Sequence, residues 1–395
     1  MVRLRWEVDF KDSEIGMLKT DGSAHYIFAH GVCGRIPKDW KIKRIDDEYK
    51  VNTGERVSPD SEGLFPVYGA NGFSGYSKNF LIEKEAIITG RVGTIGQVFR
   101  VKGKVNISDN ALYITKRNEE SVIDFLYYAF KLIFSNIEEV LNVGTTQPLI
   151  KQSEVQKFSI HFPEREEQER IASVLSWFDD LIENKKKQNE ILEKMAMAIF
   201  KSWFIDFEPY QQDNLKETPL RWKIGKITDI VKDIISGTGR YAIESSSGNY
   251  SLWGANGIIG YVDEYDLDNY IILTGRVGTL GQVFFTKEKI AISDNVLALV
   301  PKEDYYTFFL YLWLKTQVNF ESLNVGSSQP LITKTALGNE TVLVPSQAVL
   351  QEFHKLVEPL FQKIILNQKQ IIVLEKIRDV LLPLLVFGRL KVEEI

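Results

Sequence analysis

Two long stretches of the chain place apolar residues at alternating steps of four and three positions. One follows Pro163 and the other follows Pro345. This spacing is typical of a helix that packs along a narrow seam against a second helix, as in a coiled coil. The numbering of the two seams differs by a multiple of seven, so they are in phase. We therefore expect two long helices that pair with each other. The seam positions are Ile171, Leu175, Phe178, Ile182, Lys185, Asn189, Leu192, Ala196, Ile199 and Trp203 in the first stretch, and Phe353, Val357, Leu360, Ile364, Asn367, Ile371, Leu374, Arg378, Leu381 and Leu385 in the second.

A polar residue interrupts each seam near its middle. These residues are Lys185 in the first stretch and Asn367 in the second. A polar seam position often fixes the register of paired helices at some cost in stability. We expect the two residues to have that role here.

The segments before each helix have a different pattern. Short β-rich runs such as Ala86-Ile87-Ile88 alternate with residues rich in Gly, Asn and Ser, and each segment has one aromatic, helix-like stretch, around Phe125 and Phe308. Such runs, punctuated by turn formers, indicate a compact domain of mixed α and β structure. We call these domains the first head and the second head.

An internal repeat relates the two halves of the chain. Five short motifs occur twice and in the same order, the first three at one constant offset and the last two at a slightly shorter one. Two copies are too few for a solenoid, so the chain is a duplicated head-and-helix unit. The matching pairs are 69–72 with 254–257 (Gly-Ala-Asn-Gly), 89–99 with 274–284 (Thr-Gly-Arg-Val-Gly-Thr and onwards), 108–110 with 293–295 (Ser-Asp-Asn), 142–150 with 324–332 (ending Gln-Pro-Leu-Ile), and 192–194 with 374–376 (Leu-Glu-Lys).

The repeat also sets the domain boundaries. We predict an N-terminal extension at 1–36, a first head at 37–163, a first spacer helix at 164–210, a second head at 211–345 and a second spacer helix at 346–395. Residues 6–10 resemble 203–207, where the first helix pattern ends. The cyclic order of these pieces implies that the two chain termini lie close together.

Composition narrows the class of protein. The 395 residues are 44% hydrophobic and 26% charged, with one cysteine and four scattered histidines, so we expect neither a disulfide nor a metal site. No segment resembles a signal peptide or a membrane span, which favours a cytoplasmic protein. The net charge of −5 argues against a protein that coats nucleic acid by charge alone.

With these motifs in this order, the chain resembles the DNA specificity subunits of type I restriction-modification systems. Each head opens with a similar entry, Ile36-Pro37-Lys38-Asp39-Trp40 and Thr218-Pro219-Leu220-Arg221-Trp222, and the repeated Gly-rich and Gln-Pro-Leu-Ile runs fit that family. The resemblance covers nearly the whole chain except residues 2–34. It implies an α+β fold of two similar α/β target recognition domains, separated by two long antiparallel coiled-coil helices with a pseudo-twofold internal repeat.

The resemblance also implies a function and a set of partners. Each head would read one half of a bipartite site in double-stranded DNA, and the helices would set the spacing and dock two methyltransferase subunits. Two restriction-translocase subunits could join that assembly. No cofactor is expected in this chain, because S-adenosylmethionine, ATP and Mg would belong to the partner subunits.

Two other classes of function stay open. A coiled-coil scaffold whose heads bind protein or glycan would have the same architecture. A stand-alone enzyme is disfavoured, because the sequence has no Asp/Asn-Pro-Pro-aromatic run for amino-methylation and no phosphate-binding loop for nucleotide hydrolysis.

The candidate DNA contacts fall into two groups. Residues common to both heads cannot discriminate between two different half-sites, so they would grip the DNA backbone or serve turns. This group comprises Arg91 and Arg276. The amides Asn71, Asn256, Gln97 and Gln282 are also shared by the heads, and they could donate to bases or accept from them, although an Asn before Gly is first of all a turn former. For Arg91, an alternative is an ion pair with a neighbouring carboxylate such as Asp109.

Residues that differ between the heads would read sequence, although each is also a candidate for an ordinary solvated charge. They are Arg56, Lys78, Arg100, Lys102, Lys104, Lys116 and Arg117 in the first head, and Arg240, Tyr241, Lys287, Lys289 and Lys302 in the second. Apolar residues beside the seams make the helices more apolar than one pairing needs, which suggests a partner-binding face. The candidates for that face are Trp177, Leu181, Ile191 and Phe361.

Overall fold

The chain folds into two compact units. One comprises Met1–Glu183 with Ile372–Ile395, and the other comprises Asn184–Ile371. Each unit therefore contains one head and half of each long helix. The computed structural model describes residues 2–4, 10–11, 18–20, 23–27, 36–37, 39–58, 60–135, 149–210, 222–241 and 248–392, and only the backbone of those before Pro37.

Two helices of 40 residues each, Arg165–Phe204 and Gln347–Val386, account for the seam patterns. Every predicted seam position is buried or half-buried. In the second unit, Lys185 Nζ donates to Gln370 Oε1 at 2.5 Å, and Asn367 Nδ2 donates to Asn189 Oδ1 at 2.9 Å. Since positions rise along one helix as they fall along the other, the helices are antiparallel, as predicted.

The polar seam positions form hydrogen bonds across the helix pair. Asn367 is fully buried, and its amide nitrogen also lies 3.3 Å from Gln188 Oε1. In the first unit, the seam residue Arg378 donates to Asp179 Oδ1 at 2.7 Å, and Asp179 also accepts from the Tyr128 hydroxyl at 2.9 Å. Burial, and then the nearby carboxylate of Asp179, raise the pKa of Tyr128. Each seam is thus a mostly apolar strip with defined polar contacts.

Within the described residues, the first head contains three four-stranded sheets, and Phe10–Lys11 pairs with Ile36–Pro37 where the head begins. A mainly antiparallel sheet has the order Val98–Val101, Ala86–Gly90, Ala111–Lys116, Tyr49–Thr53, and a second has the order Ile82–Glu83, Lys104–Ile107, Phe65–Gly69, Gly72–Ser77. The third has the order Leu18–Thr20, Ser23–Ile27, Phe158–Phe162, Lys41–Arg44. The helices are Ile45–Glu48, Ile123–Ser135 and Gln152–Gln156.

The second head repeats this arrangement. One sheet has the order Val231–Ser236, Val296–Pro301, Ile271–Gly275, Val283–Thr286, and another has the order Gly257–Val262, Tyr250–Gly254, Ile290–Ile292. Lys223–Lys226 pairs with Thr341–Val344. The α-helices are Thr307–Thr316 and Lys334–Gly338, and short 3-10 helices occur at Ile227–Asp229, Asp304–Tyr306 and Phe320–Leu323. A further 3-10 helix, Glu208–Tyr210, follows the first long helix.

Fine details of pairing are shared by the heads. Lys104–Ile107 pairs in parallel with Phe65–Gly69, and Ile290–Ile292 does so with Tyr250–Gly254. The hairpins that begin at Phe65 and Tyr250 have a register shift at the same repeat position. The duplicated sequence therefore encodes a duplicated topology.

The ends of the chain meet in the first unit. Val2–Leu4 pairs antiparallel with Leu390–Val392, which confirms the predicted closeness of the termini. Ser23–Ile27 pairs with Phe158–Phe162, so part of the N-terminal extension joins a sheet of the first head. Residues 5–9, the main part of the segment that resembles 203–207, lie outside the described residues, as does 142–148 of the first Gln-Pro motif.

Candidate nucleic-acid interface

Four of the repeated motifs meet at one end of the first head. The Arg91 amide donates to Asn110 O at 2.8 Å, and the Ile150 amide donates to Arg91 O at 2.9 Å. The Ala70 amide donates to the Asn110 side chain at 3.1 Å. We call the segments 68–71, 90–96, 108–110 and 149–150 the first turn cluster.

The second head has a matching cluster. The Arg276 amide donates to Asn295 O at 2.8 Å, and the Ile332 amide donates to Arg276 O at 2.9 Å. The Ser293 amide donates to Trp253 O at 2.9 Å. We call 253–256, 275–281, 293–295 and 330–332 the second turn cluster. Motifs that are far apart in sequence thus form one structure in each head.

The repeated arginines brace these clusters. Arg91 and Arg276 are half-buried, and their Nη1 atoms lie 3.4 Å from Asp109 O and 3.2 Å from Asp294 O. The acceptor is a main-chain carbonyl, whereas the sequence suggested a carboxylate. Gly90 completes the turn, because a Cβ there would lie 2.0 Å from Thr94 O. The glycines and the arginine of this loop therefore contribute to the local structure of the cluster. DNA contact by Arg91 and Arg276 stays a prediction.

Four shared amide side chains in the clusters or directly after them are open to solvent. Asn71 and Gln97 in the first head, and Asn256 and Gln282 in the second, are exposed. An exposed amide offers both a donor and an acceptor, the combination that reads adenine edges in a DNA groove. Asn71 and Asn256 belong to the turn clusters, and Gln97 and Gln282 directly follow them in sequence, although Gln282 also lines a cavity with Asn189 and Glu193 of the first long helix. DNA contact by the four amides stays a prediction.

Most candidate cations of the first head are paired with acids of the same head. Four of them lie within ion-pairing distance of a carboxylate, which lowers the charge each offers to phosphate. The pairs are Lys78 with Asp60 at 3.2 Å, Arg100 with Asp124 at 2.7 Å, Lys102 with Glu85 at 3.1 Å, and Lys104 with Glu83 at 3.5 Å.

The candidate cations of the second head also contact other residues of the same head. Arg240 lies 2.7 Å from Asp266 Oδ1 and stacks over Tyr241; its hydrogen bond to Tyr241, and then the charge of Asp266, raise the pKa of Arg240. The remaining candidates also have local contacts. Lys289 lies over the Tyr265 ring and 4.0 Å from Asp268, Lys287 lies over the Tyr270 ring, and Lys302 Nζ donates to Asp229 O at 2.8 Å.

Three candidate cations differ from the rest. Arg56, Lys116 and Arg117 are exposed, and in the described part of the chain their side chains form no hydrogen bond, ion pair or ring contact. The strand Ala111–Lys116 begins directly after the first turn cluster and ends at Lys116. Lys116 and Arg117 therefore lie at the end of the strand that is away from the cluster. Arg56 lies near the cluster itself. Of the three unpaired cations, only Arg56 therefore lies near the first turn cluster.

Comparison with known proteins decides the family. The model of the type I restriction modification DNA specificity domain matches the chain twice, at residues 37–194 and 219–376. The chain belongs to this family. The two matched segments begin at the prolines that open the predicted heads, Pro37 and Pro219, and end at the repeated Leu-Glu-Lys motif. The family match thus coincides with the head-and-helix repeat.

Specificity subunits of known systems resemble the chain over its length. The type I restriction enzyme MjaIX specificity subunit of Methanocaldococcus jannaschii is 33% identical, covering 100% of this chain and 99% of that protein. A putative type I specificity subunit of Mycoplasma pneumoniae is 26% identical over 82% of this chain and 89% of that protein. The crystal structure of a type I restriction-modification S subunit from M. genitalium shares the fold, with a TM-score of 0.61 at 22% identity over 92% of this chain and 99% of that chain.

Three of the four apolar residues predicted to bind a partner are exposed. Trp177, Leu181 and Ile191 have exposed fractions of 56%, 45% and 58%. The prediction for Phe361 is wrong, because this side chain is fully buried in the second unit. Its ring stacks on Phe308 of the second head with centroids 4.2 Å apart. The face beside the seam at Phe361 is therefore covered by the chain's own head.

A second set of exposed apolar residues on the helices joins the predicted Ile191 with Met195, Val373 and Ile377, which were not predicted from the sequence. Ile191 and Met195 lie one turn apart on the first long helix, and Val373 and Ile377 lie one turn apart on the second. Their exposed fractions range from 43% to 58%, and the internal repeat relates one pair to the other. We call them the paired helix patches. Comparing the two helices away from the seam would have found them.

Within the part of the chain that the structure describes, no group of three or more His, Cys, Asp or Glu side chains could hold a metal ion. No helix in the described ranges has the length and apolar character to cross a membrane.

Proposed function

We propose that this chain directs a type I methyltransferase and restriction complex to a bipartite site in double-stranded DNA. Each head would read one half-site, and the paired helices would hold the two heads at a fixed spacing. The chain would do no chemistry, and S-adenosylmethionine, ATP and Mg would act in the partner subunits. The observation that carries this proposal is the duplication of one head fold, with an equivalent turn cluster in each copy and different residues around it.

The division between shared and differing residues supports two kinds of DNA contact. The turn clusters are the same in both heads, including the main-chain hydrogen bonds of Arg91 and Arg276. Features that do not vary suit the sugar-phosphate backbone, which is the same at every site. Side chains that differ around the clusters suit base edges, which carry the sequence.

The paired helix patches support the docking of two copies of one partner. Each patch has two apolar side chains on one helix face, and the repeat places one patch in each unit. Exposed apolar side chains on paired helices are costly unless a partner covers them. Two equivalent patches fit two copies of a methyltransferase subunit.

Sequencing of modified adenines tests the proposed function. DNA from cells that express this chain with its cognate methyltransferase should be modified at one bipartite sequence with a fixed gap. Cells that express either protein alone should lack the modification. If no sequence is modified although the two proteins co-purify, the scaffold alternative is favoured and the proposal fails.

The stoichiometry of docking is tested by disabling one patch at a time. We expect Ile191→Glu with Met195→Glu to leave one methyltransferase subunit on the chain, and Val373→Glu with Ile377→Glu to do the same. The four changes together should leave none. Ile224→Glu, at an 80% exposed apolar residue of the second head, is the control and should keep both. Masses from native mass spectrometry that show two bound subunits in all variants would contradict the assignment.

A further inference from the structure

We infer that Arg56 reads a guanine in the half-site of the first head, and that the second head has no counterpart to this contact. The inference rests on the proposed function and names the residue that discriminates. It follows from where Arg56 lies, from its lack of an acidic partner among the described residues, and from what replaces it in the second head.

Arg56 follows the segment that pairs with the first turn cluster. The Gly54 amide donates to Ala111 O at 3.1 Å, and the Glu55 amide donates to Ile107 O at 2.9 Å. Glu55 also forms a parallel bridge with Ser108, the first residue of the Ser-Asp-Asn turn. Arg56 is therefore held next to the exposed end of the head that carries Asn71 and Asn110.

The charge of Arg56 is available to a ligand. The residue is exposed, and within the described ranges its guanidinium has no ion pair or hydrogen bond. Among the other candidate cations of the first head, Lys116 and Arg117 lie at the far end of their strand and Arg91 is bonded to the carbonyl of Asp109. The remaining four are paired with carboxylates. A free guanidinium beside exposed amides suits the two acceptors on the major-groove edge of guanine, which it can contact with two hydrogen bonds.

The second head differs at the same place. Gly237 matches Gly54, since a Cβ on either would lie within 2.5 Å of the carbonyl oxygens of the equivalent turns, at Ile107 and Ser108 or at Ile292 and Ser293. Two residues on, Gly239 stands where the first head has Arg56, with φ at +67°. The next residue, Arg240, is paired with Asp266 at 2.7 Å. The second head therefore offers no free guanidinium at this position.

The test uses the full chain in complex with its methyltransferase. Arg56→Ala should remove the requirement for one guanine in one half-site and weaken binding to the original site by about tenfold to a hundredfold. The other half-site and the gap should not change. Arg56→Lys keeps the charge but not the planar guanidinium, so we expect a preference for guanine between those of Arg56→Ala and the unaltered chain.

Lys50→Ala is the matched control. Lys50 is an exposed residue that pairs with Thr115 on the same sheet, away from the turn cluster, and its loss removes one positive charge from the first head. We expect the modified sequence to be unchanged in this variant.

Three results would overturn the inference. One is an unchanged guanine requirement in Arg56→Ala. Another is equal weakening on cognate and scrambled DNA with rescue by lysine, which would indicate a phosphate contact. The last is a change in the other half-site. Each leaves the proposed function standing as long as the unaltered complex modifies a bipartite site, whereas absence of such a site would reject the proposed function itself.

Discussion

Asn367 is a fully buried polar side chain that bonds across the helix pair to the half-buried Asn189. Removing one partner leaves the other without its hydrogen bond, whereas replacing both with apolar residues can be nearly neutral. We expect Asn367→Leu to lower the free energy of unfolding by about 1–3 kcal/mol. The double variant Asn189→Leu with Asn367→Leu should recover most of that loss. Urea unfolding of the three variants and the unaltered chain gives the comparison, and a double variant less stable than both single variants would contradict the expectation.

His354 gives the second unit a specific acid sensitivity. Its imidazole stacks on Phe308 with centroids 5.0 Å apart, and burial lowers its pKa below the usual value of about 6.5, partly offset by Glu358 at 3.8 Å. Below pH 6.5 the unfolded chain therefore binds more protons than the folded chain, so folding stability falls as the pH falls.

The variant His354→Gln should lose this contribution. Between pH 7 and pH 5 we expect the unaltered chain to lose more stability than the variant, by at most about 1.4 kcal/mol per pH unit. Asp304 and Lys287 also act on the imidazole, and both are kept in the comparison. Equal losses in the two proteins, measured by urea unfolding at each pH, would show that His354 does not titrate on unfolding.

At the scale of elements, the long helices are proposed to set the gap between the half-sites. Inserting seven residues after Lys187 and seven after Lys369 keeps both seams in phase and lengthens the pair by about 10.5 Å. At roughly 3.4 Å per base pair, the gap should grow by about three base pairs while both half-sites stay the same. A three-residue insertion at each place rotates the seam residues away from each other and should prevent assembly. An unchanged gap in an active heptad variant would show that the helices do not set the spacing.

The sequence predicts the features of these elements that depend on a pattern within one segment, and it does not predict those that depend on residues far apart in the chain. The seams were predictable, because a regular period along one helix determines which side is buried. The burial of Phe361 was not, because it depends on Phe308, which lies on a different element far from it in sequence. Similarly, the repeated motifs predicted that the two heads share a structure, but only the fold shows that the motifs of each head meet in one cluster.

The sequence also could not predict which charged side chains are paired with a carboxylate. Arg56 and Arg100 are both arginines in segments that differ between the heads, yet Arg100 is paired with Asp124 at 2.7 Å and Arg56 is exposed without a carboxylate partner among the described residues. Whether a charge is available to DNA depends on neighbours brought close by folding. Candidate lists drawn from sequence therefore include many residues that are already paired.

At the scale of the whole molecule, the two heads are proposed to act as independent readers. The N-terminal strand Ser23–Ile27 pairs with Phe158–Phe162 of the first head, so an exchange of the first head would have to carry the extension with it. The second head has no such addition within the described residues, and its sheets are built from 223–344. It is the simpler part to replace.

Exchange of the second head, residues 219–345, for that of another family member is the most direct test of the central claim. Modified adenines would be mapped in DNA from cells that express the chimera with the same methyltransferase. We expect one half-site to change to that of the donor. The other half-site, which we propose is read by Arg56 and the first turn cluster, and the gap between the two should remain the same. A chimera that assembles and modifies DNA with both half-sites changed, or with neither changed, would contradict the account.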